Sequence, residues 1–313
     1  MRDAAPIPDA SNAPDTSATR ARARRGLLWF GLGVALASAP IEVALLRSGE
    51  PFEAHPGLLF ALLMVPGAVS LLVRLARREG FDDIALRVRG PHGRLALALA
   101  WLLPVATLAL AYAASWATGL ERFETPPGVP STMGPVAAFG TTIVFTLVQT
   151  TVFAAPNAAG EELGWRGYLL TRLVDADVRR PALASALAWG LWQLPLVLSG
   201  HYATGPYPAL AALLYFGSLL VQSYALAKLR LSSGSIWPAI VYRASWAAQM
   251  QFTFEAFTQG GLAPPRPSLW TGEAGLLVLA ATTALTLAYV ARPWPVRRSP
   301  AERPRRWMGL GDA

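Results

Sequence analysis

Residues 160–170 read GEELGWRGYLL and end a long apolar run of the sequence. The stretch places two adjacent carboxylates, Glu161 and Glu162, in that apolar setting, and Arg166 follows the second one by four residues. A charged side chain near the centre of a bilayer costs roughly 3 kcal/mol on insertion scales, so such residues usually mark a functional site. The stretch therefore predicts a membrane-embedded acidic site whose partners must come from the rest of the chain.

The composition is that of a membrane protein. The 313 residues are 53% hydrophobic and 15% charged, and the mean hydropathy is +0.37. A soluble globular domain carries about 25% charged residues. The chain has no cysteine, which excludes a disulfide framework and a thiol nucleophile. One polytopic bundle is therefore favoured over two soluble domains.

Eight apolar segments approach the length of about 20 residues with which a helix crosses a hydrocarbon core. They cover residues 26–46, 57–73, 95–118, 136–160, 182–199, 209–227, 234–254 and 274–291. The sequence thus predicts an all-α, polytopic membrane bundle of about eight transmembrane helices over 26–291. It also predicts a disordered basic tail at 1–25 and a basic cytoplasmic tail at 292–313. Arg24-Arg25 and the next apolar run resemble a signal peptide, but Pro40 would follow the cleavage point, so the run is expected to stay as an anchor.

The basic residues are distributed unevenly over the predicted loops. Of 27 Lys and Arg residues, 23 fall on the two tails and on alternate loops, whereas the intervening loops hold Arg47, Arg122 and Arg266. The remaining one, Arg243, falls within a predicted span. The positive-inside rule therefore places both termini in the cytoplasm, with the plasma membrane of a prokaryote as the expected location. Because topology explains the net charge of +8, no nucleic-acid partner is predicted.

Three neighbouring segments bring polar side chains to a similar depth. Glu161 precedes Arg172 by eleven residues, which is about 16 Å of continuous helix. Gln193 lies thirteen residues beyond Arg180, or about 20 Å along a helix. Arg243 lies thirteen residues beyond Arg230 with a Ser-Ser-Gly turn between them, and so at a comparable or slightly shallower depth. Polar residues at matching depth usually face each other inside a bundle, because the alternative is lipid. We therefore expect these three side chains to line one chamber that opens to the cytoplasm.

A structural interpretation of each residue remains open. Glu162 and Arg166 have the i, i+4 spacing of an ion pair, and with Glu161 they could form a helix end that reaches the membrane surface. Gln193 could serve only as a hydrogen-bonding group between helices. Arg243 could simply neutralise one of the two glutamates.

Residues 161–170 resemble the first motif, Glu-Glu-x-x-x-Arg, of the CPBP family of intramembrane glutamic endopeptidases. This family includes the CAAX prenyl endopeptidases and the bacteriocin-processing proteins. Residues 189–196, WGLWQLPL, resemble its second motif, Phe-x-x-x-His. Residues 234–244, GSIWPAIVYRA, resemble its third, which ends in His with Asn or Asp shortly after. The likeness covers about residues 135–255 and implies hydrolysis of peptide bonds in membrane-associated proteins or peptides.

The sequence departs from the family at the auxiliary positions. Gln193 stands in place of the first motif histidine, and Trp189 in place of the usual Phe. Arg243 stands in place of the second histidine, and Trp246 and Ala247 occupy the positions where Asn is expected. Without the histidines the two glutamates make a poor zinc site. Neither a metal ion nor another cofactor is therefore predicted.

The resemblance implies a role for each site residue. Glu161 is the candidate general base for the attacking water, and Glu162 with Arg166 is a supporting pair. Arg243 could stabilise the oxyanion or could neutralise Glu161 in a salt bridge. Gln193 could hold a water molecule, but its amide cannot shuttle a proton near neutral pH.

Three hypotheses of function follow from these residues. The first is an endopeptidase with altered auxiliary groups. The second is a catalytically impaired relative that binds peptides or partner membrane proteins in the same cavity. The third is a transporter or channel with an acid–arginine site, although no broken-helix repeat pattern supports it.

Overall fold

The computed structural model describes residues 16–50, 52–130, 132–200, 206–258 and 268–292, and within these ranges it contains helices and no β-strand. The α-helices are α1 (Thr16–Ser48), α2 (Pro56–Ala76), α3 (Gly90–Thr118), α4 (Pro135–Phe145), α5 (Thr151–Gly164), α6 (Leu170–Asp175), α7 (Pro181–Leu198), α8 (Pro208–Ser233), α9 (Trp237–Gln249), α10 (Ala256–Thr258) and α11 (Leu276–Ala291). The π-helical segments are Thr146–Thr150, Trp165–Leu169 and Met250–Glu255. The all-α polytopic bundle is therefore confirmed.

The π-helical segments continue the helices on either side of them, so the described residues form eight helical rods. Each rod matches one of the eight predicted segments to within several residues, except that some rods extend beyond the predicted segment at one end. Five helices are long and apolar enough to cross a membrane. The rod that contains α4 and α5 is bent by 49° and makes a sixth if it is one span, while α11 is a shorter apolar helix. The count of eight spans and the side of the termini stay predictions.

The first helix begins earlier than the sequence predicts. Because α1 starts at Thr16, residues 16–25 are helical, and the prediction of a disordered tail is wrong for them. Their arginines are held by the neighbouring turns: Arg20 pairs with Asp177 at 2.9 Å, and Arg22 Nη2 donates to the Arg78 carbonyl at 2.9 Å. Residues 1–15 and 293–313 lie outside the described residues, so the rest of the two predicted tails is not addressed.

The bundle has two ends that differ in sequence and in contacts. The termini end comprises the start of α1, the end of α11 and the turns at 77–89, 176–180 and 234–236. The Ile236 amide donates to the Ala85 carbonyl there at 3.1 Å. The opposite end comprises the turns at 49–55 and 119–130 together with residues 268–275. The Glu124 amide donates to the Phe257 carbonyl there at 2.6 Å.

A network of charged side chains closes the termini end next to the GEELGWR stretch. Arg74 is buried, pairs with Asp83, and donates through Nη2 to the Gly167 carbonyl at 3.0 Å. Arg172 pairs with Asp83 at 2.9 Å and with Glu79 at 3.1 Å. Burial raises the pKa of Glu79, but its bonds from Arg77, Arg172 and Tyr168 outweigh this and lower the pKa below 4.5. Glu79 therefore stays charged at neutral pH and fixes α2 against α6.

Glycines allow α2 and α5 to pack backbone against backbone. A Cβ at Gly160 would lie 2.6 Å from the Leu63 carbonyl oxygen, and one at Gly67 would lie 2.7 Å from the Gly160 carbonyl oxygen. A Cβ at Gly164 would lie 2.6 Å from the backbone of Pro66. These distances are shorter than a real Cβ atom allows. Glycine is therefore required on α5 next to Glu161, where the backbones of α2 and α5 are in contact.

The variant Gly160→Ala is expected to destabilise the protein by about 1 to 3 kcal/mol, because the added methyl group must push α5 away from α2. The thermal midpoint of the detergent-solubilised protein measures this loss. Gly217→Ala on α8 is the matched control, since its Cβ would make ordinary contact with Leu279 at 3.5 Å. The control should be neutral or slightly stabilising. Equal effects of the two variants would contradict the close packing.

Candidate active site

The two glutamates lie on the last turn of α5, and the arginine of the motif lies on the π-helical segment Trp165–Leu169. Glu161, Glu162 and Arg166 are all buried. A π-helical turn shifts the side chains after it relative to a regular helix, and such turns often occur at functional sites. The alternative interpretation, a helix end that reaches the membrane surface, does not agree with the structure, because all three side chains are buried in the bundle.

Glu162 and Arg166 form a sealed ion pair. Arg166 Nη1 donates to Glu162 Oε1 at 2.9 Å, and neither side chain has any exposed area. Arg166 Nη2 donates to Ser223 Oγ on α8 at 3.0 Å. The pair thus joins α5 to α8 behind the site. Such a buried pair is strongly destabilised by loss of either partner, since the other charge is left without compensation.

Glu161 is held by two donors on different helices. Arg243 Nη2 on α9 donates to Glu161 Oε1 at 3.2 Å, and Trp189 Nε1 on α7 donates to Glu161 Oε2 at 2.9 Å. Each carboxylate oxygen therefore accepts one hydrogen bond within the protein. Arg243 therefore forms a salt bridge with Glu161, and its role in catalysis stays a prediction.

The ring of Trp189 contacts the guanidinium groups of both arginines. The Arg166 guanidinium carbon lies 4.2 Å from the centroid of the ring, and that of Arg243 lies 5.0 Å away. Cation–π contacts of desolvated arginines contribute about 2 kcal/mol or more each. Two acids and two arginines thus surround one buried tryptophan, and their formal charges sum to zero.

A cavity of about 450 Å³ adjoins only part of this cluster. Glu161, Gln193 and Arg243 line it, whereas Glu162 and Arg166 do not. The three positions that the sequence placed at one depth therefore meet at a single cavity. Gln193 is buried at the cavity wall. Ala247, one of the two positions where the resemblance leads us to expect an asparagine, also lines the cavity.

Two residues of the site, Trp189 and Ser223, were not predicted from the sequence. Trp189 was noted only as a substitute for Phe, although an indole N–H can serve as a donor where a phenyl ring cannot. Ser223 belongs to a polar series on α8 that also contains Ser218 and Gln222, all of them buried. Buried polar side chains on a membrane helix usually face protein partners, and this signal could have indicated that α8 meets the site.

In the described ranges, no group of three or more His, Cys, Asp or Glu side chains is placed to hold a metal ion. The polar groups around the cavity are two carboxylates, three amides and a guanidinium, with no His or Cys, and the guanidinium cannot bind a cation. The residues present at this site therefore do not fit a zinc centre.

Fold and site together define a polytopic helical membrane protein with an acid–arginine cluster at an interior cavity. Residues 143–248 match the family model described as type II CAAX prenyl endopeptidase Rce1-like. The match covers about a third of the chain and includes every site residue named above. It confirms the resemblance to the CPBP family over that region and indicates, in general terms, a CAAX-type intramembrane protease. No curated protein sequence matches the chain.

Proposed function

We propose that this chain is an intramembrane endopeptidase in which Glu161 activates water for attack on a peptide bond. The observation that carries the proposal is the convergence of Glu161, Gln193 and Arg243, from three different helices, on one cavity. A general base must lie within hydrogen-bond reach of its water, and a cavity beside the carboxylate gives room for that water. The peptidase match over residues 143–248 supports the same reaction class.

The mechanism begins with release of Glu161 from Arg243. A substrate carbonyl that enters the cavity competes for the guanidinium, so Arg243 turns from Glu161 Oε1 to the carbonyl oxygen. Glu161 keeps its bond from Trp189 and uses the freed oxygen to take a proton from water. Arg243 then neutralises the oxyanion that forms, and Glu161 returns its proton to the leaving amine. Gln193 holds the water by hydrogen bonds alone.

A second candidate function is binding without cleavage. It is favoured by the engagement of both Glu161 oxygens, because each already accepts a hydrogen bond from within the protein. In that case the cavity holds a peptide or a partner membrane protein, and the acid–arginine pair is structural. The two candidates differ in whether Arg243 leaves Glu161 when the cavity is filled.

The decisive experiment is cleavage of a peptide library by the purified protein in liposomes, beside Glu161→Gln. Gln is nearly isosteric with Glu but cannot act as a base, and its single oxygen can keep the bond from Arg243 or the bond from Trp189. Loss of general-base catalysis is expected to lower the cleavage rate by about 10²- to 10⁴-fold. Equal cleavage by both proteins would refute the role of Glu161. Peptide binding without cleavage by the unmodified protein would select the second candidate.

The variant Trp189→Phe is expected to lower kcat/KM for peptide cleavage by roughly 10- to 100-fold. It removes the N–H that holds Glu161, and a hydrogen bond to a charged group contributes about 1.5 to 3 kcal/mol. Trp192→Phe is the matched control, because Trp192 lines the same cavity but donates to Ser38 Oγ at 2.8 Å. Steady-state kinetics of the two variants measure the difference.

Trp189→Phe combined with Gln193→His rebuilds the second motif of the family. The imidazole could orient Glu161 or its water, so the double variant is expected to recover most of the lost activity. A purely structural role of Trp189 predicts instead that both variants lose stability and that the histidine restores nothing.

A further inference from the structure

We propose that the cavity takes a peptide segment presented on the extracytoplasmic side of the membrane. That the occupant is a peptide rests on the function proposed above, whereas the side of access rests on separate observations. Two expectations from the sequence, cytoplasmic termini and a chamber open to the cytoplasm, cannot both hold in this structure. The positions of the lining residues decide between them once the charge distribution is considered.

The cavity is lined by α2, α5, α7 and the rod that contains α9, together with Glu273, and it reaches the opposite end of the bundle at Pro56 and Glu273. On α2 the lining residues lie between Pro56 and Leu63, in the first turns of the helix. On α5 they lie between Phe153 and Glu161, before the motif arginine. On α9 and the π-helical segment after it they lie between Arg243 and Phe252. The open space therefore extends from Glu161 away from the termini end.

On the termini side of Glu161, charged contacts lie between the cavity and the surface. The sealed Glu162–Arg166 pair lies behind the cavity, and both side chains have no exposed area. Farther toward that end, Arg74 is buried and bonded to the Gly167 carbonyl, while Glu79 pairs with Arg77 and Arg172. A substrate from that side would have to break several charged contacts before it reached the carboxylate.

The charge distribution assigns these ends to the two sides of the membrane. Among the described residues, the helix ends and turns of the termini end carry 16 of the 27 Lys and Arg residues of the sequence. Of the described residues, the opposite end carries Arg47 and Arg122, together with the acids Glu50, Glu121, Glu124 and Glu273. Such an excess of basic residues marks cytoplasmic loops. The cavity therefore opens on the extracytoplasmic side.

The lining of the cavity indicates what kind of peptide enters. Phe60, Phe153 and Phe252 line it and are 48%, 73% and 57% exposed, so aromatic side chains border the cavity where it meets the surface. Asn157 and Gln251 add amides that can bond a peptide backbone, and Glu273 adds a carboxylate. This lining fits an extended, apolar segment without negative charge, such as one that emerges from the bilayer.

The absence of cysteine from the natural sequence allows a direct test by single-cysteine labelling. Asn157→Cys reports on the cavity, Thr125→Cys on the opposite end, and Asp82→Cys on the termini end. Intact cells are treated with a membrane-impermeant maleimide, and permeabilised cells provide the reference. We expect Asn157→Cys and Thr125→Cys to be labelled in intact cells, and Asp82→Cys only after permeabilisation.

Gln251→Cys repeats the cavity measurement on a different rod in case the variant at Asn157 does not fold. Labelling of the cavity cysteines only after permeabilisation, or in neither condition, overturns the proposal. Because labelling needs no catalysis, it separates failure of this inference from failure of the endopeptidase function. If access is extracytoplasmic and cleavage occurs, a peptide added outside cells that express the protein is cut, and Glu161→Gln abolishes the products.

Discussion

Replacement of Arg166 by methionine is expected to lower the free energy of unfolding by about 3 to 5 kcal/mol. The thioether chain keeps much of the packing against Trp189, but Glu162 is left as a fully buried carboxylate without a cation. Removal of one partner of a buried pair costs this much because the remaining charge has lost both water and its counterion. Reversible unfolding of the protein in detergent micelles, followed by tryptophan fluorescence, measures the change.

The double variant Glu162→Gln/Arg166→Met is the matched control. It removes both charges, and neutral replacement of a complete buried pair is often close to neutral for stability. The amide that replaces the Glu162 carboxylate lies within reach of the same surroundings and can find hydrogen-bond partners among the polar side chains of α8. A single variant as stable as the natural protein, or a double variant no better than the single one, would contradict the sealed pair.

Much of the helical architecture could be predicted from the sequence because hydrocarbon imposes a simple rule on apolar length. The segments at 57–73, 182–199 and 274–291 agree closely with α2, α7 and α11. The segment at 136–160 was predicted as a single span, but a bend and a π-helical segment interrupt it. Nothing in an apolar run reveals where a helix takes an extra residue per turn, because such a turn depends on tertiary packing, here against α9.

The charged residues of the site could be predicted from the sequence, but the hydrogen bonds that join the site residues could not. A glutamate or an arginine in an apolar run is visible at once, because its desolvation must be compensated. Trp189 is apolar enough to fit any membrane helix, so its N–H bond to Glu161 appears only in three dimensions. Depth along the helices placed Glu161, Gln193 and Arg243 together, but depth alone cannot tell on which side of them the open space lies.

The two acid–arginine pairs of the site have similar chemistry and different surroundings, and this difference bears on Arg243. The Arg243 side chain keeps 11% of its exposed area and faces the cavity, whereas that of Arg166 keeps none. Loss of Arg243 leaves Glu161 beside a cavity that can hold water and with its bond from Trp189. Arg243→Gln is therefore expected to cost less stability than Arg166→Met, while its effect on activity is the larger one.

Arg243→Gln is expected to lower kcat for peptide cleavage by about 10²- to 10³-fold, the range found when one donor to an oxyanion is removed. Its KM should change little, because the proposed contact with the carbonyl strengthens as negative charge develops on the oxygen. Pre-steady-state kinetics on one cleaved peptide, with the thermal midpoint of each variant as a control for folding, separate the two effects.

The alternative role of Arg243, neutralisation of Glu161, predicts the opposite effect on the cleavage rate. If the guanidinium serves only to neutralise Glu161, its removal frees the carboxylate, and cleavage rises or first appears. The triple variant Gln193→His, Arg243→His and Ala247→Asn restores all auxiliary groups of the family at positions that line the cavity. Activity gained by this variant from an inactive natural protein would identify the chain as a binder. If the natural protein already cleaves and Arg243→Gln abolishes the reaction, the arginine has replaced the missing histidine as the group that stabilises the transition state.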